Sequence, residues 1–408
     1  MPRPLVIGGA GCAGLSLAAH LVDQGVVEEG VAGREAGRRV VLVEPRTRYV
    51  DDRTWCFWRG EPHLFEHCVR HAWTRWSVRT DETDVVVESA EHPYQHLPAA
   101  AFYREALGRL RRAPGVELRL GARVLGVEEH ADGVRVETDA GALDAEYFFD
   151  SRPAPPRGGL VQSFVGRVIR ARRPIFDDTT ATLMDFRRAA AGPGCPERAV
   201  DTVSAQGVRF IYLLPFSPRE ALVEATEFSS ESRPPKVYER MLDQYLAARG
   251  LDGAETVARE QAQLPMTPLS PRAATSRVVP IGVAGGCARA SSGYAFLAIQ
   301  RTAAALAVAL RAGRAPASVR PWRRRALAMD RIFLSVLEQQ PTRAPGLFAS
   351  LFARTPPSAL VRFLADSDSW LDALRVVAAL PKRPFLAAGW RELRGRGSVV
   401  AVDRRAEA

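Results

Sequence analysis

The chain has 408 residues, enough for more than one packed domain, and its 47% hydrophobic and 25% charged residues are ordinary for a globular protein. No segment reaches the roughly 18 uncharged apolar residues of a membrane-spanning helix, so we expect a cytoplasmic protein without a cleavable signal. The net charge is +10, and the basic residues are arginine except for Lys236 and Lys382. No aromatic-interleaved basic patch accompanies them, so we expect no nucleic-acid partner, but some attraction to acidic lipid headgroups.

The first feature along the chain is a glycine-rich turn between a predicted strand and helix. PLVIGGAGCAGLSL contains Gly9, Gly11 and Gly14 in G-x-G-x-x-G spacing. The first glycine makes the turn, the second lets a pyrophosphate approach, and the third lets the helix pack close to the strand. A second strand, RVVLV, follows a predicted surface loop at residues 25–38 and ends at Glu44, which we expect to accept hydrogen bonds from ribose hydroxyls.

An aromatic segment, PRTRYVDDRTWCFW, follows the second strand. Trp55 lies just beyond the strand's carboxyl end, where ligands bind in such sheets, although a buried aromatic loop is an equal alternative. His63, His67 and His71 recur every four residues, but no carboxylate accompanies them in ligand spacing and the five cysteines never form C-x-x-C. We therefore expect no metal site and no disulfide framework. Residues 75–88 alternate like a hairpin.

The next residues complete a nucleotide-binding domain. A helix is predicted at 98–112, strands at 115–120 and 146–149, and a meander turning at Asp132 between them. This order is typical of a Rossmann-like three-layer domain of the glutathione-reductase type, as found in flavoproteins. We assign to this discontinuous dinucleotide-binding domain residues 1–60, 97–152 and 262–312, and the resemblance described below implies that its ligand is FAD.

Two further regions complete the predicted α/β fold. A β-rich substrate domain comprises residues 61–96 and 153–261, with a loop at 189–198. Residues 313–390 form a C-terminal helical region whose apolar faces pack on one another, close an apolar cavity or lie on a membrane. Residues 391–408 are expected to be a disordered tail.

A second glycine-rich turn lies late in the chain. A strand at 278–283 leads to Gly285, Gly286 and Gly293, and then to a small-residue helix at 296–311. A helix N-terminus at this point suits the same dinucleotide, with its positive end aimed at a phosphate or a flavin ring.

Several stretches together resemble the bacterial lycopene beta-cyclases. They are GGAGCAGLSLA at 8–18, DDRTWCFW at 51–58, LLPFSP at 213–218, LVEATEFSS at 222–230, LPMTP at 264–268 and ASSGYAF at 290–296. The resemblance extends from about residue 3 to about residue 388. It implies an enzyme, peripheral on the inner face of the cell membrane, that folds the acyclic ends of lycopene, or of another acyclic-ended carotenoid, into beta-ionone rings, giving gamma- or beta-carotene. It also implies reduced FAD as cofactor and NAD(P)H as reductant, although the net reaction is an isomerisation.

The resemblance carries over Glu224 as the catalytic residue. It lies in VEAT, where relatives have an acid pair followed by threonine, and Ala225 replaces the second acid. Thr226 and Glu227 are expected near substrate or flavin, but strand alternation puts Glu224 and Glu227 on opposite faces unless a bulge intervenes. The proton donor therefore stays open between Glu224, Glu227 and the flavin. Trp55 and Tyr294 are candidate aromatic walls.

Other departures from the family pattern are local. Ser151 stands in Asp-Ser-Arg where the family has Asp-Gly-Arg, and Arg289 with Ala290 stands where relatives tend to have His-Pro.

The chemistry makes its own demands on such a site. An alkene is a feeble base, so the acid that protonates it must be strong or dry, and the resulting cation must be shielded from water. A glutamate in an apolar pocket keeps its proton at neutral pH, and aromatic rings and a reduced flavin stabilise nearby positive charge. Without the motif, Glu224 is equally a salt-bridged strand carboxylate.

Two other functions suit the same sequence. One is an FAD-dependent monooxygenase or prenyl reductase, which consumes NAD(P)H in proportion to product; Gly285 and Gly286 lack the Gly-Asp often found in such hydroxylases. The other is a non-catalytic flavoprotein that binds carotenoid or lipid.

Overall fold

A computed structural model describes residues 3–27, 38–152, 158–187, 203–204, 207–231, 233–267, 274–317 and 319–403. The predicted loop at 189–198 lies outside these residues, as does most of the loop at 25–38. The strands, β1 to β19 in chain order, are Leu5–Gly8, Val40–Glu44, Thr54–Trp58, His71–Trp73, Arg75–Arg79, Asp84–Glu88, Tyr94–Pro98, Val116–Leu120, Val124–His130, Gly133–Thr138, Gly141–Ala145, Tyr147–Asp150, Val161–Arg170, Thr180–Asp185, Val203–Ser204, Gly207–Ser217, Glu220–Ser229, Glu255–Pro265 and Val278–Pro280. The helices, α1 to α9, are Cys12–Asp23, Ala99–Arg111, Pro235–Ala247, Phe296–Arg311, Arg324–Gln339, Ala344–Arg354, Pro357–Leu364, Trp370–Ala379 and Lys382–Asp403.

A parallel sheet in the order β19-β12-β1-β2-β8 lies between two layers. Alternation along β1 sends Leu5 and Ile7 into a core with α1, α2 and α4, and sends Val6 into a second core beneath the antiparallel meander β9-β10-β11. The chain leaves β1 toward β2 on one side and returns on the other through β12. Ligands of such sheets bind at the carboxyl ends of the strands where the order reverses, which here is beside β1.

The turn from β1 to α1 requires glycine at two positions. Gly9 has a φ of +94°, a conformation that side chains disfavour. A Cβ on Gly14 would lie 1.9 Å from the carbonyl oxygen of Gly9 and 3.2 Å from Cγ2 of Ile7. Any larger residue at position 14 would therefore push α1 away from β1.

A larger sheet carries the second core. Its strand order is β18-β13-β17-β16-β14-β5-β6, with β15 beside β16, and all neighbours are antiparallel except β14 and β5. On β17, Val223 and Ala225 pack against α3, whereas Leu222 and Phe228 belong to the core that includes α5 and α6. The predicted hairpin at 75–88 is present as β5 and β6. A separate sheet, β3-β7-β4, contains the DDRTWCFW aromatic residues.

Strand β18 is absent from the sequence-based prediction. Its sequence, ETVAREQAQLP, shows no apolar alternation, because most of its residues are exposed at the sheet edge. Its only neighbour in the sheet, among the residues described, is β13.

The C-terminal helices cover one face of the larger sheet. Phe348 of α6 contacts the rings of Phe186, Phe228 and Phe333. Helix α9 continues into the predicted tail at 391–408 and is helical as far as Asp403. In the described part of the chain, no helix combines the length and apolar character needed to cross a bilayer.

We predict opposite effects for alanine at two helical glycines. Gly14→Ala should lower the free energy of unfolding by about 3 kcal/mol, because its methyl group overlaps the Gly9 carbonyl. Gly108→Ala, in the interior of α2, should raise it by about 1 kcal/mol, since the nearest neighbouring atom would be 3.8 Å away. Urea unfolding of both variants measures the difference. Equal effects would contradict the close packing of α1 on β1.

Candidate active site

Glu44 ends β2 beside the first glycine-rich turn. Its Oε2 accepts a hydrogen bond from the Ala10 amide at 2.6 Å, and its Oε1 accepts one from the Arg46 amide at 3.0 Å. The Arg46 guanidinium lies over the turn, since a Cβ on Gly11 would be 3.3 Å from its Nη2. It donates a hydrogen bond to the Tyr103 hydroxyl at 3.1 Å. A fixed positive charge thus lies where this kind of turn receives a phosphate.

Ser151 contacts the same turn from β12. Its hydroxyl donates to the carbonyls of Gly8 at 2.7 Å and Gly9 at 3.2 Å. The serine that replaces the family's glycine is therefore accommodated by hydrogen bonds to the loop. Its neighbour Arg152 pairs with Asp150, with Nε 2.8 Å from Oδ1.

The second glycine-rich turn follows β19. A Cβ on Gly285 would lie 2.7 Å from the Pro280 carbonyl oxygen, and Gly286 and Gly293 have φ of +81° and +71°. Gly293 and the nearby Val283 line the same cavity as Cys12 of the first turn. The two turns therefore border one space.

Arg289 joins this second turn to the C-terminal helices. It is only 1% exposed, its Nη2 is 3.2 Å from Oδ1 of Asp330 on α5, and its Nη1 donates to the carbonyls of Phe363 and Leu364 at the end of α7. Ser291 donates to the same Asp330 oxygen at 2.8 Å. This buried ion pair is fully hydrogen-bonded, which buried charges require.

A cavity of about 680 Å³ lies between the larger sheet and the C-terminal helices. It extends from Cys12 and Arg46 at the first turn to Phe385 and Leu386 of α9. Much of its wall is apolar: Phe164, Phe210, Leu222, Phe228, Phe333 and Phe348. Its shape and lining suit a large apolar ligand.

Glu224 of β17 points into this cavity and is 6% exposed. The Thr226 hydroxyl donates to its Oε1 at 2.7 Å. Burial raises the pKa of the Glu224 carboxyl well above its usual range, and the negative charge of the nearby Glu260 raises that pKa further, whereas the Thr226 hydrogen bond lowers it in part. The carboxyl thus resists ionisation at neutral pH.

Trp55 also lines the cavity, from β3. Its ring centroid lies 5.1 Å from that of Phe102 and 5.8 Å from that of Phe296, the first residue of α4. The ring is thereby held between helices α2 and α4 on one side and the cavity on the other.

Tyr294 forms a cluster with two tyrosines from other elements. Its hydroxyl is 3.2 Å from that of Tyr94, which is 2.9 Å from that of Tyr212. Burial raises the pKa of all three phenols, so they stay neutral and serve as hydrogen-bond donors or acceptors. The ring of Tyr294 packs edge-on against Trp58, with centroids 5.5 Å apart.

Glu227 does not join Glu224 in the cavity. No register shift separates them on β17, so their side chains lie on opposite faces of the sheet. Glu227 is fully buried beside α3, where its Oε1 accepts from Arg209 at 2.8 Å and its Oε2 from Tyr238 at 2.9 Å. Arg233 lies 3.2 Å from the same carboxylate. These contacts describe a structural ion pair.

The three spaced histidines do not share a helix. His67 lies in a short 3-10 turn and His71 in β4, with His63 ahead of both. Burial lowers the pKa of His63 to about 4. Within the ranges given for the model, no three His, Cys, Asp or Glu side chains are grouped to hold a metal ion.

Some residues that border the cavity carried no usable signal in the sequence. They are Arg46, Tyr94 and Glu260, because the elements that bring them to the cavity are not predicted together. Tyr212 is the exception, since it lies two residues after Phe210 on β16 and alternation puts both side chains on the same face.

The parallel sheet, its meander and the second sheet define the fold of FAD-dependent monooxygenases and reductases. A geranylgeranyl bacteriochlorophyll reductase-like protein from Thermoplasma acidophilum matches with a TM-score of 0.58 at 10% identity, covering 94% of this chain and 97% of that one. A flavoprotein/dehydrogenase from Cytophaga hutchinsonii has a TM-score of 0.58 at 14% identity, covering 96% and 100%. A halogenase solved in complex with FAD has a TM-score of 0.51 at 13% identity, covering 89% and 78%.

With this fold, the chain belongs to the lycopene cyclase family, whose model, described as lycopene cyclase protein, matches residues 4–389. A lycopene beta-cyclase from Paracoccus sp. (strain N81106 / MBIC 01143) is 30% identical over 277 residues, or 62% of this chain. The aligned part spans 64% of that relative's length, less than two thirds.

We predict that neutralising the two glutamates of β17 has opposite effects on stability. A folded-state pKa that is raised makes a carboxyl destabilising above its unfolded-state pKa, so Glu224→Gln should unfold at higher urea than wild type, by a margin that grows as the pH rises above the unfolded-state pKa. Glu227→Gln should lower the free energy of unfolding by about 3 kcal/mol, because it leaves Arg209 and Arg233 without their carboxylate. A Glu224→Gln variant that is less stable than wild type would contradict this account.

Proposed function

We propose that the protein is a lycopene beta-cyclase, an intramolecular lyase or isomerase that converts the acyclic ends of lycopene to beta-ionone rings. Gamma-carotene is then the product of one cyclisation and beta-carotene of two. The observation that carries the proposal is a buried carboxyl, Glu224, whose pKa burial raises, in an aromatic cavity that reaches both glycine-rich turns. Family membership supports the same reaction.

FAD is the cofactor we propose, with NAD(P)H as its reductant. Gly9, Gly11 and Gly14 would receive the pyrophosphate, Glu44 the ribose, and Gly285, Gly286 and Gly293 the flavin end. The close packing of α1 on β1 that Gly14 permits and the Arg46 charge over Gly11 fit such a ligand. When bound and reduced, FAD supplies negative charge beside a developing cation and is not consumed.

Glu224 supplies the proton that starts the reaction. Its O–H bond breaks as a C–H bond forms at the terminal alkene, which leaves a tertiary cation. A neighbouring double bond closes the ring by attacking that cation, and loss of a proton beside the new cationic carbon forms the ring alkene. One proton enters and one leaves, so the product is an isomer of the substrate. Thr226 holds the carboxyl in place.

Aromatic side chains shield the cation in this scheme. Trp55 and Tyr294 are positioned along the cavity wall, and ring faces attract positive charge by about 1 to 2 kcal/mol where water is excluded. The same apolar wall keeps water from capturing the cation.

Substrate entry from a membrane is supported by apolar residues on α8 and α9. The large apolar side chains exposed there, at 45% to 69%, are Trp370, Leu371, Leu374, Val377, Leu386 and Trp390. Val377 and Leu386 also line the cavity, and the exposed Lys382 and Arg383 are the first residues of α9. Such a surface favours peripheral binding to anionic lipid, which we propose occurs on the inner face of the cell membrane.

We predict that cells accumulating lycopene will form gamma- or beta-carotene when they express this chain. Glu224→Gln should abolish ring formation, because the amide cannot donate a proton to an alkene, while flavin absorbance of the purified protein is retained. Pigment chromatography measures ring formation by wild type and variant, and the absorbance spectrum of the purified variant measures its bound flavin. Unchanged lycopene with folded, flavin-loaded wild type would refute the proposal, and cyclisation by the variant would refute the role of Glu224.

A monooxygenase or prenyl reductase would give hydroxylated or reduced pigment in the same cells and would consume NAD(P)H in proportion to it. An anaerobic assay with pre-reduced FAD separates these functions, because a cyclase turns over repeatedly without further reductant. A non-catalytic carrier would leave lycopene unchanged in both assays.

We predict that Leu371→Glu combined with Leu374→Glu lowers binding to phospholipid vesicles of mixed neutral and anionic composition by about tenfold, because two leucines no longer enter the acyl region. Leu125→Glu is the matched control, since Leu125 is 63% exposed on the remote meander strand β9. Co-sedimentation measures the bound fraction. Equal binding of the two variants would locate the membrane contact elsewhere.

A further inference from the structure

Four residues form one row across four adjacent strands. Tyr212 of β16 is paired with Glu224 of β17, Glu224 with Gly166 of β13, and Gly166 with Glu260 of β18. Residues paired across strands point to the same face of a sheet. Tyr212, Glu224 and Glu260 all line the cavity, and the residue between the two glutamates is the one without a side chain.

Glu260 leans over that glycine. A Cβ on Gly166 would lie 3.1 Å from Cγ and 3.4 Å from Oε1 of Glu260, and 3.2 Å from Cδ1 of Leu222. Any side chain at position 166 would therefore stand between the two carboxyl groups. Because Gly166 has no side chain, none stands in the row between Glu224 of β17 and Glu260 of β18.

Threonine hydroxyls hold both carboxyls in the same manner. Thr226 donates to Oε1 of Glu224 at 2.7 Å, and Thr54, from DDRTW, donates to Oε2 of Glu260 at 2.8 Å. In Glu260 the oxygen not held by threonine is Oε1, the one over Gly166. The DDRTW stretch, which belongs to the β3-β7-β4 sheet, thus orients an acid of the larger sheet.

We propose that Glu224 and Glu260 form a carboxyl pair that shares one proton across Gly166. This inference rests on the proposed cyclase function and deepens it, since Glu260 would be the second acid of the site. Ala225, where relatives have the second acid, faces α3 on the opposite side of the sheet, and the second carboxyl of this cavity comes from the edge strand β18.

Electrostatics favours one proton for two such groups. Two facing carboxyl groups in an apolar site are costly to ionise together when no cation is near, so the first proton leaves readily and the second is held. Burial raises the pKa of Glu260 as well, and its Thr54 hydrogen bond and Arg53 lower that pKa in part. Glu260 is therefore the carboxylate of the pair, and Glu224 the acid.

The pair accounts for the proton through a whole turnover. Glu224 gives its proton to the alkene, and the electron pair of its O–H bond stays on the carboxylate. The doubly ionised pair then faces the cation as countercharge. Once the ring has closed, it takes up the proton lost from the ring carbon, whose C–H electrons become the ring double bond. The pair ends as it began, with one proton.

Other titratable groups face the pair from each neighbouring strand. Cys56 of β3 and Tyr212 of β16 face Glu224, and burial raises the pKa of both, so they remain neutral at physiological pH. Asp51 and Arg53, ahead of β3, act on Glu260 with opposite signs. Of these groups, the carboxyl pair is thus the one whose protonation is expected to set the pH profile.

The test replaces Glu260 with Gln in the flavin-loaded protein. Removing its negative charge lowers the pKa of Glu224, so the high-pH limb of the activity profile, which requires the protonated acid, should move to lower pH by about one unit. The turnover rate should fall at least about tenfold. Glu255→Gln is the control, since Glu255 is 67% exposed on the same strand and should change neither quantity. A Glu260→Gln variant with an unshifted high-pH limb and the wild-type turnover rate would refute the proposed carboxyl pair.

A second variant guards against a merely structural effect. Gly166→Ala keeps every titratable group but inserts a methyl group between the carboxyls, and should move the same limb in the same direction. Glu260→Asp, which keeps the charge, should restore part of the rate lost in Glu260→Gln. A wild-type pH profile in folded Gly166→Ala would count against proton sharing.

Infrared spectroscopy without substrate separates this inference from the proposed function. The wild type should show a protonated carboxylic-acid band at neutral pH that Glu224→Gln removes and Glu260→Gln shifts to lower pH. If that band titrates so but no cyclic carotenoid forms, the pair stands and the cyclase function fails. If cyclisation occurs and the band is absent from wild type at neutral pH, the function stands and the pair fails.

Discussion

The desolvation of one carboxyl is the constraint on which the arrangement depends. A carboxylate in an apolar cavity is costly unless it is paired, so a lone buried glutamate keeps its proton. The larger sheet provides the rigid strand that bears Glu224, and the C-terminal helices provide the apolar cover that excludes water. Arg289 ties this cover to the second glycine turn through a buried ion pair. A carboxyl that keeps its proton in a dry space is thus produced by packing, without an unusual functional group.

The same strand shows how a difference in partners changes a residue's chemistry. Glu224 and Glu227 are both buried on β17, three residues apart. Glu227 has two guanidinium groups and a phenol around its carboxylate, and so it serves the attachment of α3. Glu224 has a threonine hydroxyl and another acid, and so its charge is disfavoured. Alternation along a strand is enough to separate a structural carboxylate from a reactive one.

Periodic and glycine signals in the sequence predicted much of this fold. The first turn, the meander, the 75–88 hairpin and the helix beginning at Phe296 follow from local patterns, because each encodes its own geometry in adjacent residues. Strand β18 did not follow, since an exposed edge strand has little apolar alternation. Glu260 therefore appeared as one acid among many. Its position beside Glu224 depends on pairing between strands that are almost one hundred residues apart, which no local pattern records.

Gly166 has a consequence for how such a site is studied. Substitution scans that truncate side chains ask what is lost when atoms are removed, and a glycine has none to remove. Its contribution here is the absence of a Cβ, which would lie 3.1 Å from Cγ of Glu260 in the row that also contains Glu224. The informative experiment at this position adds volume. A series of substitutions from alanine to valine would show how much side-chain volume can stand in the row between the two acids before proton sharing is lost.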